Sequence, residues 1–336
     1  MRNIIIAALV LIFMANFASA EILSQWRGPE RDGIYPKESL LKEWPASGPK
    51  LLWRADSLGI GFSSPAVTQT AVYVTSLIGD QGWLFAYDHS GKMQWKTNYG
   101  PEWDKGHKGT RTTPTVVDDK IYLISGVGDV FCLNTAGKVL WKVDMKADFG
   151  AKVLHWGISE SALVDGDIVY CTPGGSKALL VALDRHKGKL VWKINSNGEA
   201  SAYCSPRFIT HNGKKLLITM TQSSVVAVDP SSGDLLWKQP HVTQYDINPN
   251  TVLYKDNLLF TFSGYGTGSQ LFKIANDGMS ASKLWANETP DNQMAGAILL
   301  DGYVYSSGHK NKGWACSNWK TGEVVWQSRE HGGKGP

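Results

Sequence analysis

A phrase that ends in tryptophan recurs along this chain and limits its fold more than any other feature. It reads AYDHSGKMQW (86–95), CLNTAGKVLW (132–141), ALDRHKGKLVW (182–192), AVDPSSGDLLW (227–237), KIANDGMSASKLW (273–285) and CSNWKTGEVVW (316–326). An abbreviated seventh copy, SGPKLLW, ends at Trp53. The closing residues Trp53, Trp95, Trp141, Trp192, Trp237, Trp285 and Trp326 lie 42, 46, 51, 45, 48 and 41 residues apart, and they account for half of the 14 tryptophans in 336 residues. A period of this length is the mark of a repeat architecture, in which each unit buries its apolar face only against its neighbours.

Each unit also opens alike. SSPAVTQTAVYVTS, TTPTVVDDKIYLIS, ESALVDGDIVYCTP, CSPRFITHNGKKLLITM, NPNTVLYKDNLLFTFS and AGAILLDGYVYSSG each read as a short apolar strand, a polar turn and a second β-rich strand. A third strand such as WLFAYD or VVAVD follows, then a glycine turn and a fourth strand ending in tryptophan. Val, Ile and Tyr enrichment with period-two alternation and Asp, Asn or Gly turns are strand and hairpin signals. Four antiparallel strands in 40–50 residues make a propeller blade, and closing blades into a ring removes exposed sheet edges. The expected fold is an all-β propeller of six complete blades plus part of a seventh, with each tryptophan on an outermost strand packed against a neighbouring blade. Residues 49–54 read as the outer strand of that last blade. Its inner strands are expected beyond Pro336, the chain being read as C-terminally truncated and GGKGP as a lead-in to them.

Residues 1–20 read as an export signal: Arg2, an apolar run from Ile4 to Phe17 broken only by Asn16, and Ala18-Ser19-Ala20 before Glu21. That pattern is too short for a spanning helix, and cleavage is expected after Ala20. The expected organisation is a signal peptide (1–20), an extended segment (21–48) and the propeller (49–336). No later segment is apolar enough to cross a bilayer. The net charge of +4, from 34 basic and 30 acidic residues, contains no block of five like charges, which argues against nucleic-acid partners. A monomer in the periplasm or outside the cell is expected.

The repeat resembles the pyrroloquinoline-quinone-type propeller repeat, A-x-D-x-x-[TS]-G-x-x-x-W, over about residues 50–330. WRGPERDGI (26–34), HWGISES (155–161), CTPGG (171–175) and SGYGTGS (263–269) look like an exported bacterial subgroup of that family with unassigned activity. The resemblance implies two kinds of relative: quinone-dependent alcohol dehydrogenases and a lipoprotein that scaffolds outer-membrane protein assembly. Fold does not choose between them. The dehydrogenase chemistry implies a quinone beside an adjacent-cysteine disulfide, a calcium and an aspartate base. Here the four cysteines Cys132, Cys171, Cys204 and Cys316 include no adjacent pair. Cys132 and Cys316 occupy the repeat slot of Ala86, Ala182 and Ala227 and read as small buried residues, and Cys204 reads as sharing the slot of Ser64 and Thr113.

Other motifs fail on residue type. Asp246, Asn248 and Asn250 imitate the start of a calcium loop, but Thr251 and Asn257 stand where Gly and Glu are required. Gly264, Gly266 and Gly268 lack the third glycine of a dinucleotide fingerprint, and no G-x-S-x-G is present. No catalytic residue and no metal ligand is assigned. Pyrroloquinoline quinone and calcium belong only to the alternative reading, a dehydrogenase of alcohols or sugars. What remains is the channel mouth, lined by residues that open the innermost strands: Arg111, Trp156, Glu160, Tyr203, Tyr245, Asn248, Tyr265 and Met294. Arg111 with Glu160 and the aromatics suit a small-molecule or protein partner, unless Arg111 and Glu160 form a structural pair between blades.

Overall fold

The computed structural model describes residues 23–35, 41–310 and 312–330. The export signal and the GGKGP terminus lie outside these residues. The first described strand is β1 (Leu23–Ser24). Blade 1 holds β2 (Ala66–Val67), β3 (Val72–Ile78), β4 (Gln81–Tyr87) and β5 (Met93–Pro101). Blade 2 holds β6 (Thr115–Val117), β7 (Lys120–Ile124), β8 (Asp129–Asn134) and β9 (Val139–Asp144). Blade 3 follows with β10 (Leu163–Asp165), β11 (Ile168–Cys171), β12 (Leu180–Asp184) and β13 (Leu190–Ile194). Blade 4 is β14 (Arg207–His211), β15 (Lys214–Met220), β16 (Ser224–Val228) and β17 (Leu235–Pro240). Blade 5 is β18 (Leu253–Lys255), β19 (Leu258–Ser263), β20 (Gly268–Ile274) and β21 (Ala281–Asn287). Blade 6 is β22 (Ala297–Leu300), β23 (Tyr303–Gly308), β24 (Gly313–Asn318) and β25 (Val324–Ser328). Each is an antiparallel meander, so the described residues form six four-stranded sheets, with β1 added to the inner edge of blade 2. A single turn of helix, α1 (Met145–Phe149), follows β9, capped by Asp144 and by Gly150 at φ 64°.

The repeat phrase has a physical reading at every position. The small slot lies between two large side chains across the sheet: Ala86 pairs with Tyr73 and Trp95, Cys132 with Tyr122 and Trp141, and Cys316 with Tyr305 and Trp326. Immediately after the slot all six blades shift register by a bulge, which strengthens local twist. The Asp or Asn two residues on closes the turn with its own side chain: the Asp88, Asp184, Asp229 and Asn318 carboxyl or amide oxygens accept N–H groups two residues later. The turn glycine then sits at positive φ, 85° at Gly91 and Gly137, and leaves room for a tryptophan from the preceding repeat.

Indole N–H groups tie these units together. Trp95 donates to Thr135 O, Trp141 to Arg185 O, Trp192 to Pro230 O, Trp237 to Gly278 O and Trp285 to Lys320 O, at 2.8–3.1 Å. The docked rings are half-buried apart from buried Trp237, and Trp326 is exposed. Trp103, outside the repeat, is itself buried. Residues 49–54, expected as an outer strand, join no sheet among the described residues, although Trp53 stacks on Tyr87 of blade 1 at 6.0 Å.

Near the axis, a hydroxyl relay crosses from blade to blade. Ser64 N–H donates to Thr113 Oγ1, Thr113 N–H to Ser161 Oγ and Ser161 N–H to Ser205 Oγ. Ser205 therefore holds the slot of Ser64 and Thr113, and Cys204 stands one residue before it. All four cysteines are free and buried.

Residues 23–35 form the hub. β1 pairs Leu23 with Val117 and Ser24 with Val116 of blade 2. Arg31, fully buried, donates to Gln25 Oε1, to Ser161 O and Ala162 O at blade 3, and to Pro206 O at blade 4. Arg27 reaches Ala295 O and Ala297 O at blade 6. Among the described residues Arg31 has no ion pair. Burial pulls its guanidinium down to about 9, and main-chain carbonyls satisfy it instead of a carboxylate.

Candidate functional site at the channel mouth

The loops beside the innermost strands gather the residues expected at the mouth into two contact clusters, one around Arg111, Trp156 and Tyr203 and one around Tyr245 and Tyr265. Arg111 precedes β6. Its guanidinium donates to Gly109 O at 2.7 Å and to His107 O, and it lies 5.4 Å from the Phe62 ring and 5.9 Å from the Trp103 ring. Trp156 precedes β10, and its ring meets those of His107 and His155 at centroid distances of 5.0 and 4.3 Å. Its backbone N–H faces Tyr203 OH at 3.4 Å. Across the mouth Tyr265, in the turn between β19 and β20, packs edge-on to Tyr245 at 4.9 Å and to His309 at 4.7 Å. Gln293 Nε2 donates to its hydroxyl at 2.6 Å. Tyr245 and Met294 are exposed, whereas Tyr203 is buried.

Two carboxylates lie beneath this rim, and neither pairs with an arginine. Glu160 Oε1 accepts the Tyr203 N–H and Oε2 the Ser159 N–H, both at 3.0 Å. Burial pushes its carboxyl up to about 7 against those donors. Glu102 accepts N–H groups from Trp103 and Gly126 and the Tyr99 hydroxyl, and burial raises its pKa as well. The structural Arg111–Glu160 pair is therefore not formed: Arg111 is held by main-chain carbonyls and Glu160 by main-chain N–H groups. Burial pulls Arg111 down, while the nearby Glu102 charge supports its protonated form.

The backbone is strained here. His107 (φ 49°), Tyr203 (69°), Asp246 (58°) and Tyr265 (62°) all occupy the left-handed region, where non-glycine residues carry a steric penalty of about 1–3 kcal/mol each. Asn248 belongs to the support of the mouth. Its amide donates to Thr221 O, Gln222 O and His241 O, and its oxygen accepts from Ser263, leaving nothing to offer a ligand. His309, Phe62 and Gln293 escaped sequence reasoning because they lie in loops outside the repeat period, and His107 and His155 read from the sequence only as surface or loop residues. The one available signal was the length of the 102–111 loop. Two open surface clefts lie elsewhere, about 530 Å³ beside Trp192 and Lys214 and about 230 Å³ beside Trp314 and Gln327.

The residues at the mouth do not fit a calcium–quinone site. Both local carboxylates are spent on backbone N–H groups, and no group of three or more His, Cys, Asp or Glu gathers among the described residues.

A family model described as PQQ_2, outer membrane protein assembly factor BamB, matches residues 80–328. Quinoprotein alcohol dehydrogenase PedH of Pseudomonas putida is 28% identical over 158 residues, 44% of this chain and 25% of its own length. A quinoprotein ethanol dehydrogenase of Pseudomonas aeruginosa is 26% identical over 161 residues, with the same coverage. This chain thus spans about a quarter of those relatives. Among solved structures, BamB from Moraxella catarrhalis superposes with TM-score 0.57 and 16% identity, covering 77% of this chain and 70% of that one. Quinohemoprotein alcohol dehydrogenase from Comamonas testosteroni gives 0.52 and 13%, covering 81% and 67%. At these identities the structural matches establish fold alone.

Proposed function

We propose that this chain, which belongs to the PQQ_2 repeat family described as outer membrane protein assembly factor BamB, is an exported binding or scaffolding module that holds a small molecule or protein partner at the channel mouth. The observation that carries this reading is the rim itself: Arg111 and Trp156 joined through His107, and Tyr245 packed on Tyr265, with His107 and Tyr265 held in strained left-handed backbone. Tryptophan, tyrosine and arginine dominate the energetics of interfaces, because each pairs large contact area with a directed polar group. Strain of this kind persists only where surrounding structure enforces it, and it clusters at binding sites. The signal-like pattern of residues 1–20 supports export to the periplasm or beyond, and we read the module as a monomer.

Photo-crosslinking in the native host tests this. A benzoylphenylalanine at Tyr245 is expected to give a discrete adduct, and the same group at Lys187 on the outer edge none. No adduct from Tyr245, or equal adducts from both, sinks the reading.

The partial match to quinoprotein dehydrogenases supports a second reading, a quinone-dependent oxidoreductase of alcohols or sugars. Purified protein mixed with pyrroloquinoline quinone and calcium is expected to reduce no artificial acceptor when given ethanol or glucose. Turnover lost on removing either addition would replace the binding-module reading.

A further inference from the structure

The Arg111 guanidinium is held in place with most of its donors still open. Nη1 donates to Gly109 O and Nη2 to His107 O, so the loop that leads to the side chain also fixes it. Nε–H and one N–H on each Nη find no acceptor among the described residues. Glu102 cannot supply one: its Oε1 accepts the N–H groups of Trp103 and Gly126, and its Oε2 the Tyr99 hydroxyl. Elsewhere on the ring cations find carboxylates, Arg185 with Asp118, Lys142 with Asp129 and Lys215 with Asp165. Arg111 forms no ion pair among the described residues.

Further cations and apolar surface stand beside it. Lys105 Nζ lies 5.7 Å from the Trp103 ring, and the Arg111 guanidinium lies 5.9 Å from the same ring. Lys108 is exposed, and neither lysine ammonium has an ion pair or hydrogen bond among the described residues. Residues 104–111 carry Lys105, Lys108 and Arg111 against the single acid Asp104. Phe62, 64% exposed, lies 5.4 Å from the guanidinium, and its N–H donates to Thr110 O. Ile60, also exposed, packs on Gly109 of the same loop.

Resting on the reading of the mouth as a binding face, we propose that loop 104–111 docks an acidic peptide segment of a protein partner, with one carboxylate on the open donors of Arg111 and an apolar side chain against Phe62. A carboxylate matches the planar fork through paired N–H···O bonds. The two carbonyls that already hold the fork fix its rotamer, which lowers the entropic cost of binding. Exposure selects a peptide over a small acid: small-molecule sites are hollows that enclose most of their ligand, whereas Phe62 and Ile60 stand out on a face. Charge selects a peptide over an anionic membrane, which calls for about four to eight adjoining basic side chains, whereas the loop offers three.

Fluorescence anisotropy of the full protein with three labelled peptides of equal length tests this: repeated Glu-Leu-Glu-Phe, the same peptide with Gln for Glu, and the same with Lys for Glu. The acidic peptide is expected to bind about tenfold or more tightly than the other two at physiological salt, the return from a charge-assisted hydrogen bond. Arg111→Gln should remove that preference, and Arg111→Lys, which keeps the charge without the fork, should restore only part of it. Phe62→Ala should weaken the acidic peptide several-fold, and Lys187→Ala on the outer edge should leave it unchanged. Equal binding of the acidic and Gln peptides, or an acidic complex indifferent to Arg111→Gln, overturns the proposal. So does competition by N-acetylglutamate at the peptide's own concentration, which would make the ligand a small acid. Binding of phosphatidylglycerol vesicles that is lost in Arg111→Gln would make it a membrane and overturns the proposal as well. In each case the Tyr245 crosslink separates the two readings: a discrete adduct leaves a binding mouth with a different partner, and no adduct removes both.

Discussion

Glu160 Oε1 accepts the backbone N–H of Tyr203 at 3.0 Å, across the boundary between blades 3 and 4. The contact holds Tyr203 at φ 69°, and with it the hydroxyl that faces the Trp156 N–H. A buried carboxylate thus positions one wall of the mouth without pairing with any cation among the described residues.

Its titration has a sign that can be checked. Burial raises Glu160 from 4.5 to about 7, so the native state keeps a proton that the unfolded chain releases in that window. Native protons then exceed unfolded ones, and stability falls as pH rises from 4.5 to 7. His241 acts oppositely: burial holds it down at about 4 against 6.5, so its contribution to stability rises with pH between those values. Glu160→Gln removes only the first effect. Relative to the parent, the variant should gain about 3 kcal/mol between pH 4.5 and 7 in urea melts. Parallel pH profiles would refute the assignment.

Arg111 and Glu160 have separate hydrogen-bond partners, so their substitutions should not couple. Arg111→Ala and Glu160→Gln are expected to add within about 0.5 kcal/mol in the double variant. Thermal or urea melts of the three proteins decide it. A double variant markedly more stable than the sum predicts would restore a direct pair.

Docked tryptophans and exposed Trp326 should differ. Trp192→Ala loses a half-buried ring and an indole hydrogen bond, and is expected to cost about 3 kcal/mol or more. Trp103→Ala, buried and bonded to Gly106 O, should cost as much. In the 336-residue chain Trp326→Ala should cost under about 1 kcal/mol. Denaturant midpoints measure all three, and equal losses at Trp192 and Trp326 would contradict the docking register.

Arg31→Ala is expected to destabilise by about 3 kcal/mol or more, because it strips buried carbonyls of blades 3 and 4 of their donors at once. Arg54→Ala, on the surface beside Asp56, should change stability by less than about 0.5 kcal/mol. Hydrogen exchange should show the Arg31 loss spreading to β1 and β10. A change confined to residues 23–35 would show that the segment rests on the ring without tying it.

The blades were legible in the chain because their determinants are local. A slot, an Asx turn, a glycine and a tryptophan lie within about ten residues and specify one hairpin and its bulge wherever they recur. The same period let Arg111, Trp156, Glu160, Tyr203, Tyr245 and Tyr265 be named as candidates at the channel mouth, since each precedes an inner strand or leaves one. Pairings between units were not legible. Arg111 and Glu160 looked like partners, but loop geometry gave Arg111 the carbonyls of His107 and Gly109 and gave Glu160 the N–H groups of Ser159 and Tyr203. A buried polar group takes whichever partner the packed backbone presents, and local sequence does not record that choice. Nor does WRGPERDGI reveal that Arg31 will cross to Ala162 and Pro206, at separations of 131 and 175 residues. The sequence by itself determined the repeat, its strands and its turns. Only the tertiary structure decided which carbonyls hold the hub arginines and which repeat tryptophans are buried, because those depend on contacts between residues far apart in the chain.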